Sequence, residues 1–251
     1  MGRYTDLPTL DVDFLKPTKM SFDTKGGGLE GGRNGLGESV TIETSGGGVL
    51  VGSYEGCVVK DREQHEYINW IAARMNSSVR FMNVPIMSDW IGPFPLDARG
   101  IPQPVISGIP HSDGALFADG AGYSQTTVIA NMDAAALNAG KITLRIYGAA
   151  RKLRWSDWFS IYHPNKGWRA YRNWDHTDPV PAFETIDGVA RAGQRYTLSL
   201  DRPLREAVIQ GTRVEFARPR SVMKFPANFS LAWEAEGWWQ SSPTLQFVEG
   251  F

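Results

Sequence analysis

Apolar residues in this chain recur mostly at alternate positions, and in one stretch they take helical spacing. Across residues 61–75, Ile68, Ile71, Ala72 and Met75 fall on one side of a 3.6-residue turn, with Tyr67 and Trp70 flanking them. Asp61 stands where a helix needs an acceptor for its first free N–H groups. Gln64, three residues later, completes a capping-box pattern. The spacing predicts a helix over 61–75 whose packing residues Ile68, Ile71, Ala72 and Met75 cover a sheet, ended by Asn76, Ser77 and Ser78.

Elsewhere the period is two, as strands require. Met20 and Phe22 mark a first strand within 17–23, followed by Val40, Ile42 and Thr44 within 39–44. Residues 48–60 read as two short runs around Gly52 and Gly56, and 79–84 as a strand resuming after the helix. Further strands are predicted at 121–130, at 141–147 through Ile142, Leu144 and Ile146, and around Tyr196, Leu198 and Leu200. Others are predicted at Val214 and Phe216, across 222–232, and at 245–248. Residues 133–138 read as a turn or short helix, and the glycines at 26–28 and 31–32 as a loop or bent hairpin. No highly similar repeat is evident. The pattern predicts a mainly β fold: a discontinuous β-barrel or β-sandwich domain with one packed α-helix, and an inserted β-rich domain. Pro93, Pro95, Pro102, Pro104 and Pro110 mark the departure after Trp90, and Pro219 the return. The first domain is therefore expected to comprise residues 1–88 plus 222–251, with 89–221 as the aromatic insertion. After Trp233, Trp238 and Trp239, Leu245 and Phe247 read as a returning core strand or a subunit seam, with the chain ending at Phe251.

Composition narrows the function. At 251 residues the chain can bury a real core without staples. The balance of 26 basic and 27 acidic residues supplies no overall field for nucleic acid or an anionic membrane. Cys57 is the single cysteine, so no intrachain disulfide forms; its strand-like surroundings at 56–60 predict a buried thiol. The first residues lack an apolar signal core, and no run of 18 or more apolar residues occurs, so synthesis and folding in a cytoplasm are expected.

His111, His163 and His176, with Asp113, Asp157, Asp175 and Asp178, are the side-chain types of metal and acid–base chemistry, but their order forms no ligand signature. Surface or loop roles are expected for them, and exposure or packing for His65 on the more polar side of the helix. The glycine-rich segment 26–37 lacks the Lys-Ser or Lys-Thr of a phosphate loop. Ser45, Ser53 and Ser107 lack a nucleophile elbow. No catalytic residue, metal ligand or cofactor site is expected. The densest candidate surface is aromatic and basic: Trp155, Trp158, Trp168, Arg169, Tyr171 and Trp174, interleaved with Arg151, Lys152, Arg154, Lys166 and Arg172. Such residues suit a protein interface, a glycan contact or ordinary packing.

Several short segments together carry a resemblance. These are Lys16-Pro-Thr-Lys-Met20, the strand-rich 40–59, the helix, Ala121-Gly-Tyr-Ser-Gln125, Ala139-Gly-Lys-Ile-Thr143, the run 192–205 followed by 214–219, and Leu245-Gln-Phe-Val-Glu-Gly-Phe251. The chain resembles siphophage-like distal tail or minor tail proteins of the tail hub. The resemblance implies a structural virion protein without catalytic turnover, forming a ring, commonly a homohexamer, that joins the tail tube to the tip or baseplate. Its implied partners are identical subunits, a tail-tube protein and hub or baseplate proteins, with a host glycan as a further contact; nucleic-acid recognition and membrane insertion are not implied. Assembly would take place in the bacterial host cytoplasm, and the released virion tail or tail-like particle would be extracellular. The alternative is a noncatalytic carbohydrate-binding β module for cell-surface attachment, in which Trp155, Trp158, Trp168 or Trp174 presents a flat face in a groove.

Overall fold

The computed structural model describes residues 4–43, 46–76, 78–87, 92–155, 157–186, 188–231 and 241–251. Trp90, Trp233, Trp238, Trp239, Ser45, Ser77 and the end of the run predicted over 222–232 lie outside the described residues. Strands hold 45% of the chain and helices 8%, so the fold is mainly β, with several sheets and one packed helix. The chain divides into two compact units, one of Met1–Pro85, Asn165–Gly167 and Ser221–Phe251, the other of Ile86–Pro164 and Trp168–Arg220.

The first unit is built on a five-stranded sheet. Its members are β1 (Lys19–Lys25), β4 (Val49–Glu55), β5 (Met82–Pro85), β15 (Arg220–Lys224) and β16 (Leu245–Glu249), in the order β1-β4-β16-β15-β5. The strand near the carboxyl end thus lies beside strands formed near the amino end. The register places Met20, Tyr54 and Leu245 in one row, and Phe22, Gly52 and Phe247 in the next. Gly52 is no bulge: a side chain there would occupy the space of the Phe22 ring. Leu50, Tyr54, Leu245 and Phe247 are buried, and the Tyr54 ring meets Phe22 and Phe247 edge-on at 5.4 and 6.4 Å. Residues 48–60 form one strand rather than the two expected, because Gly56 turns the chain at φ +63°.

Between β4 and β5 runs α2 (Arg62–Met75). The Asp61 carboxylate accepts from the N–H of Gln64 at 2.8 Å, while the Gln64 side-chain Oε1 accepts from the N–H of Lys60. Ile68, Ile71 and Met75 are buried and Ala72 is half-buried. A single-turn helix, α1 (Val12–Leu15), meets the start of α2: the Gln64 amide donates to the Phe14 carbonyl, and the Tyr67 hydroxyl accepts from the Asp11 N–H at 2.7 Å. Gln64 and His65 are buried as well, which corrects the expected placing of His65 on the polar side.

In the second unit a seven-stranded sheet is formed by β8 (Ile129–Met132), β9 (Lys141–Tyr147), β10 (Trp158–His163), β11 (Gly167–His176), β12 (Val180–Ile186), β13 (Val189–Leu200) and β14 (Thr212–Glu215). Its order is β11-β10-β14-β8-β9-β13-β12, and β11 also pairs with β13, so the ladder turns back on itself. Alternate residues point to one core: Ala130 and Met132, Ile142, Leu144 and Ile146, Phe159 and Ile161, Tyr196 and Leu198, and Val214. Residues 133–138 form a turn without a helix, and 121–130 is divided between β7 (Tyr123–Thr126) and β8.

Each unit also bears a small hairpin: β2 (Gly28–Arg33) with β3 (Ser39–Glu43) in the first, and β6 (Val105–Ile109) with β7 in the second. Beyond β6, two five-residue turns follow in tandem, 111–115 and 117–121. In both, an aspartate carboxylate accepts from the alanine N–H two residues on, and a glycine takes φ near +80° (Gly114 +82°, Gly120 +80°).

Candidate functional site

The β2–β3 hairpin follows β1 through Gly26 and Gly27. Asn34 builds its turn: the side-chain oxygen accepts from the N–H groups of Leu36 and Glu38 at 3.0 and 2.9 Å. Leu29 pairs directly with Ile42 across the two strands. All residues from 28 to 42 are exposed, including Leu29 at 62%, Leu36 at 85%, Val40 at 44% and Ile42 at 55%. An isolated two-stranded hairpin is marginal in water, and this one offers an aliphatic side without covering it.

The face of the five-stranded sheet opposite Leu50 and Tyr54 holds a groove of about 760 Å³. Val49, Val51 and Val248 form its apolar floor, Asp23, Lys25 and Gln246 its polar side, and Pro226 one wall. β1 is an edge strand of that sheet, and its outward Lys19, Asp23 and Lys25 are charges of the kind that discourage indiscriminate edge pairing.

The aromatic and basic residues do not form one surface. Strand alternation divides them: Arg169 and Tyr171 are fully buried, Trp168 is half-buried, and Trp174 is 65% exposed. Tyr171 packs on Phe159 in the core, lies 3.0 Å from His163 Nε2 through its hydroxyl, and accepts there from the Arg205 N–H. Trp158 is buried with the Arg172 guanidinium 5.0 Å from its ring centre. Arg169, Tyr171 and Trp158 are thus part of this unit's interior, a correction to their candidacy as contact residues; Trp155, 67% exposed, and Trp174 remain on the surface.

The histidines and aspartates are dispersed. His111 packs edge-on with Phe117 and Tyr123 at 4.9 and 4.8 Å, and its Nδ1 lies 3.1 Å from the Tyr123 hydroxyl. Asp157 is buried and accepts two hydrogen bonds from Arg151, at 2.7 and 2.8 Å, and one from the Arg154 N–H, which ties Arg151 and Arg154 to it. Asp113 and Asp175 hold local backbone N–H groups, and His176 Nδ1 lies 3.1 Å from the Thr177 carbonyl oxygen. Among the described residues no group of three or more His, Cys, Asp or Glu converges to hold a metal ion. No described helix is long and apolar enough to cross a membrane.

One polar cluster escaped the sequence reading. On β9, β12, β13 and the segment after β8, Arg145 bridges Asp133 and Glu184, Arg195 reaches Asp133 at 3.2 Å, and the Tyr147 hydroxyl donates to Glu184 at 2.7 Å. Burial and then the bond to Glu184 push the Tyr147 hydroxyl up to about 12. The same bond holds Glu184 below the usual carboxylate range, against an opposing effect of burial. Cross-strand register could have disclosed the cluster, since Arg145 faces Arg195 and two acids must neutralise the pair. At Cys57, burial pushes the thiol up to about 11, which leaves it without nucleophilic character near neutrality.

Comparison with known proteins yields no matching family model and no matching curated protein.

Proposed function

We propose that this chain is a structural subunit that closes into a homomeric ring, sixfold by its resemblance to tail-hub proteins, joining a tail tube to the tip or baseplate of a virion tail or tail-like particle. The observation behind this reading is the β2–β3 hairpin, whose aliphatic residues are exposed over its whole length. The same unit holds a groove with a valine floor. A hairpin laid into the groove of the next copy is a heterologous contact. It repeats by rotation until the ring closes, and every copy then both gives and receives one hairpin.

Fully burying an aliphatic side chain stabilises by ~2 kcal/mol. The exposed portions of Leu29, Leu36, Val40 and Ile42 then supply roughly 5 kcal/mol per contact. Association costs about 4–15 kcal/mol, so the hairpin is one part of a larger interface, and closure adds the contact that an open chain of subunits lacks. Tube, hub and baseplate proteins would then dock on a ring whose members are already fixed in register.

Native mass spectrometry of the purified chain, alone and with adjoining tail proteins, tests the reading. A closed ring, sixfold in the expected case, is the supporting result. A persistent monomer in the presence of those partners rules the assignment out.

A further inference from the structure

A smaller cavity, of about 190 Å³, lies in the second unit where β8 and β14 run together. It is lined by Trp168, Arg213, Glu215, Thr126 and Ile129. Arg213 and Glu215 flank the core residue Val214, so both belong to the opposite face of their strand. The Trp168 indole is held in place rather than free to swing: the Arg220 guanidinium lies 4.5 Å from its ring centre, and Tyr162 meets it edge-on at 5.3 Å. Glu215 is oriented as well, because Oε1 accepts from the N–H groups of Ala217 and Arg218 at 2.6 and 3.2 Å.

The register adds two polar neighbours to this face. Ser160 is the cross-strand partner of Glu215, and Asn131 that of Arg213. Ser160 Oγ and Asn131 Oδ1 are both buried without a hydrogen-bond partner. Neither residue lines the cavity, so the charged groups that face a ligand there are those of Arg213 and Glu215.

The chemistry of the lining selects among ligands. At about 190 Å³ the cavity falls below the ~300–1,000 Å³ of drug-sized pockets, a size that suits one small ring. Arg213 offers only donors and Glu215 only acceptors; a hydroxyl, being both, is matched to each of them. A fixed indole face takes an apolar ring face and its C–H groups. We propose that this cleft is a subsite for a single pyranose ring, stacked on Trp168 with its hydroxyls shared between Arg213 and Glu215. The proposal is independent of ring assembly, since every residue it needs lies in the second unit of one chain.

The test is titration of the full chain with a panel of simple methyl pyranosides, glucoside, galactoside, mannoside and N-acetylglucosaminide, followed through the tryptophan indole N–H signals in two-dimensional NMR. Trp168→Phe identifies the Trp168 signal. At least one pyranoside is expected to saturate with a Kd of about 1 mM and to move that signal. Trp168→Ala is expected to weaken binding at least ~10-fold, and Glu215→Gln by several-fold; Glu215→Gln is a near-isosteric change that keeps the fold and covers the case in which the alanine variant misfolds. Trp155→Ala and Trp174→Ala alter exposed indoles outside the cavity and are expected to leave the affinity unchanged. The proposal is overturned when no pyranoside saturates, or when binding survives both Trp168→Ala and Glu215→Gln.

Discussion

Replacing Leu29 and Ile42 by serine together separates assembly from folding. The two residues sit directly opposite one another on the β2–β3 hairpin, 62% and 55% exposed. If they pack against a neighbouring copy, the surface they lose to it is worth just over ~2 kcal/mol per contact, roughly a 30- to 50-fold change in its equilibrium constant. In a closed ring every subunit makes this contact on both sides, so the deficit compounds with each member added. Within the chain the two pair with each other across the hairpin and are mostly exposed, and exposed substitutions of this kind usually stay within about 0.5 kcal/mol of the parent stability. Sedimentation velocity across a concentration series should therefore show the ring giving way to monomer at concentrations where the parent is fully assembled. Thermal unfolding of the dilute monomer should be unchanged. An undiminished ring population in the double variant would refute the role given to the hairpin. A monomer melting several degrees lower would show that the hairpin packs on its own chain.

Three further outcomes follow from the structure. Glu184 has a lowered value in the fold, so its contribution is complete above the unfolded value of 4.5 and is lost as pH falls through the folded one; Tyr147, raised to about 12, costs stability as pH rises above 10, by up to ~1.4 kcal/mol per pH unit. Urea midpoints measured against pH should show both limbs, and Tyr147→Phe should flatten the alkaline one and move the acid loss to higher pH. Cys57 should resist a thiol reagent such as DTNB at mildly alkaline pH in the folded chain and react as one thiol on denaturation, because burial raises it to about 11; rapid reaction of the native protein would contradict the packing around it. Asp61→Ala removes the acceptor for the Gln64 N–H and should cost about 1 kcal/mol, visible as a fall of ~2–4 °C in the melting of the unit that contains α2, while Asp61→Asn should retain most of the stability.

Where residue pattern and local backbone chemistry agreed, the sequence was sufficient. Ile142, Leu144 and Ile146 alternate, and all three point into the core of the second unit. Asp61 and Gln64 define the start of α2 as a capping pattern should. The β12–β13 hairpin was not legible, because most of its residues beyond the core end of β13 are exposed and show no apolar alternation. Its regularity comes from the antiparallel ladders that β13 forms with β12 and β9, a nonlocal cause. His65 is buried, the packing role among the two expected for it; it stands three residues before Ile68 and seven before Ala72, at the edge of the same helical stripe rather than on the polar side.

The aromatic segment is the instructive case for function. Counted by composition, Trp155, Trp158, Trp168, Arg169, Tyr171 and Trp174 look like one patch with an arginine rim. A strand has two faces, and β11 assigns its residues to them by parity. Arg169 and Tyr171 are buried on one side, and Trp168, Arg172 and Trp174 alternate on the other. On β10, Phe159 enters the core while Trp158 is sealed beneath Arg172. A broad interface needs several anchors clustered at its centre, and this arrangement leaves two well-exposed tryptophans with a half-buried third at the mouth of a small cavity. The exposed aliphatic residues Leu29, Leu36, Val40 and Ile42 are clustered on one hairpin as the tryptophans are not. Among the described residues, Trp168 alone of the segment shares a cavity with charged side chains, Arg213 and Glu215 of β14. Because the two sets of residues lie in different units, variants in one leave the other intact, and each proposal can fail without the other.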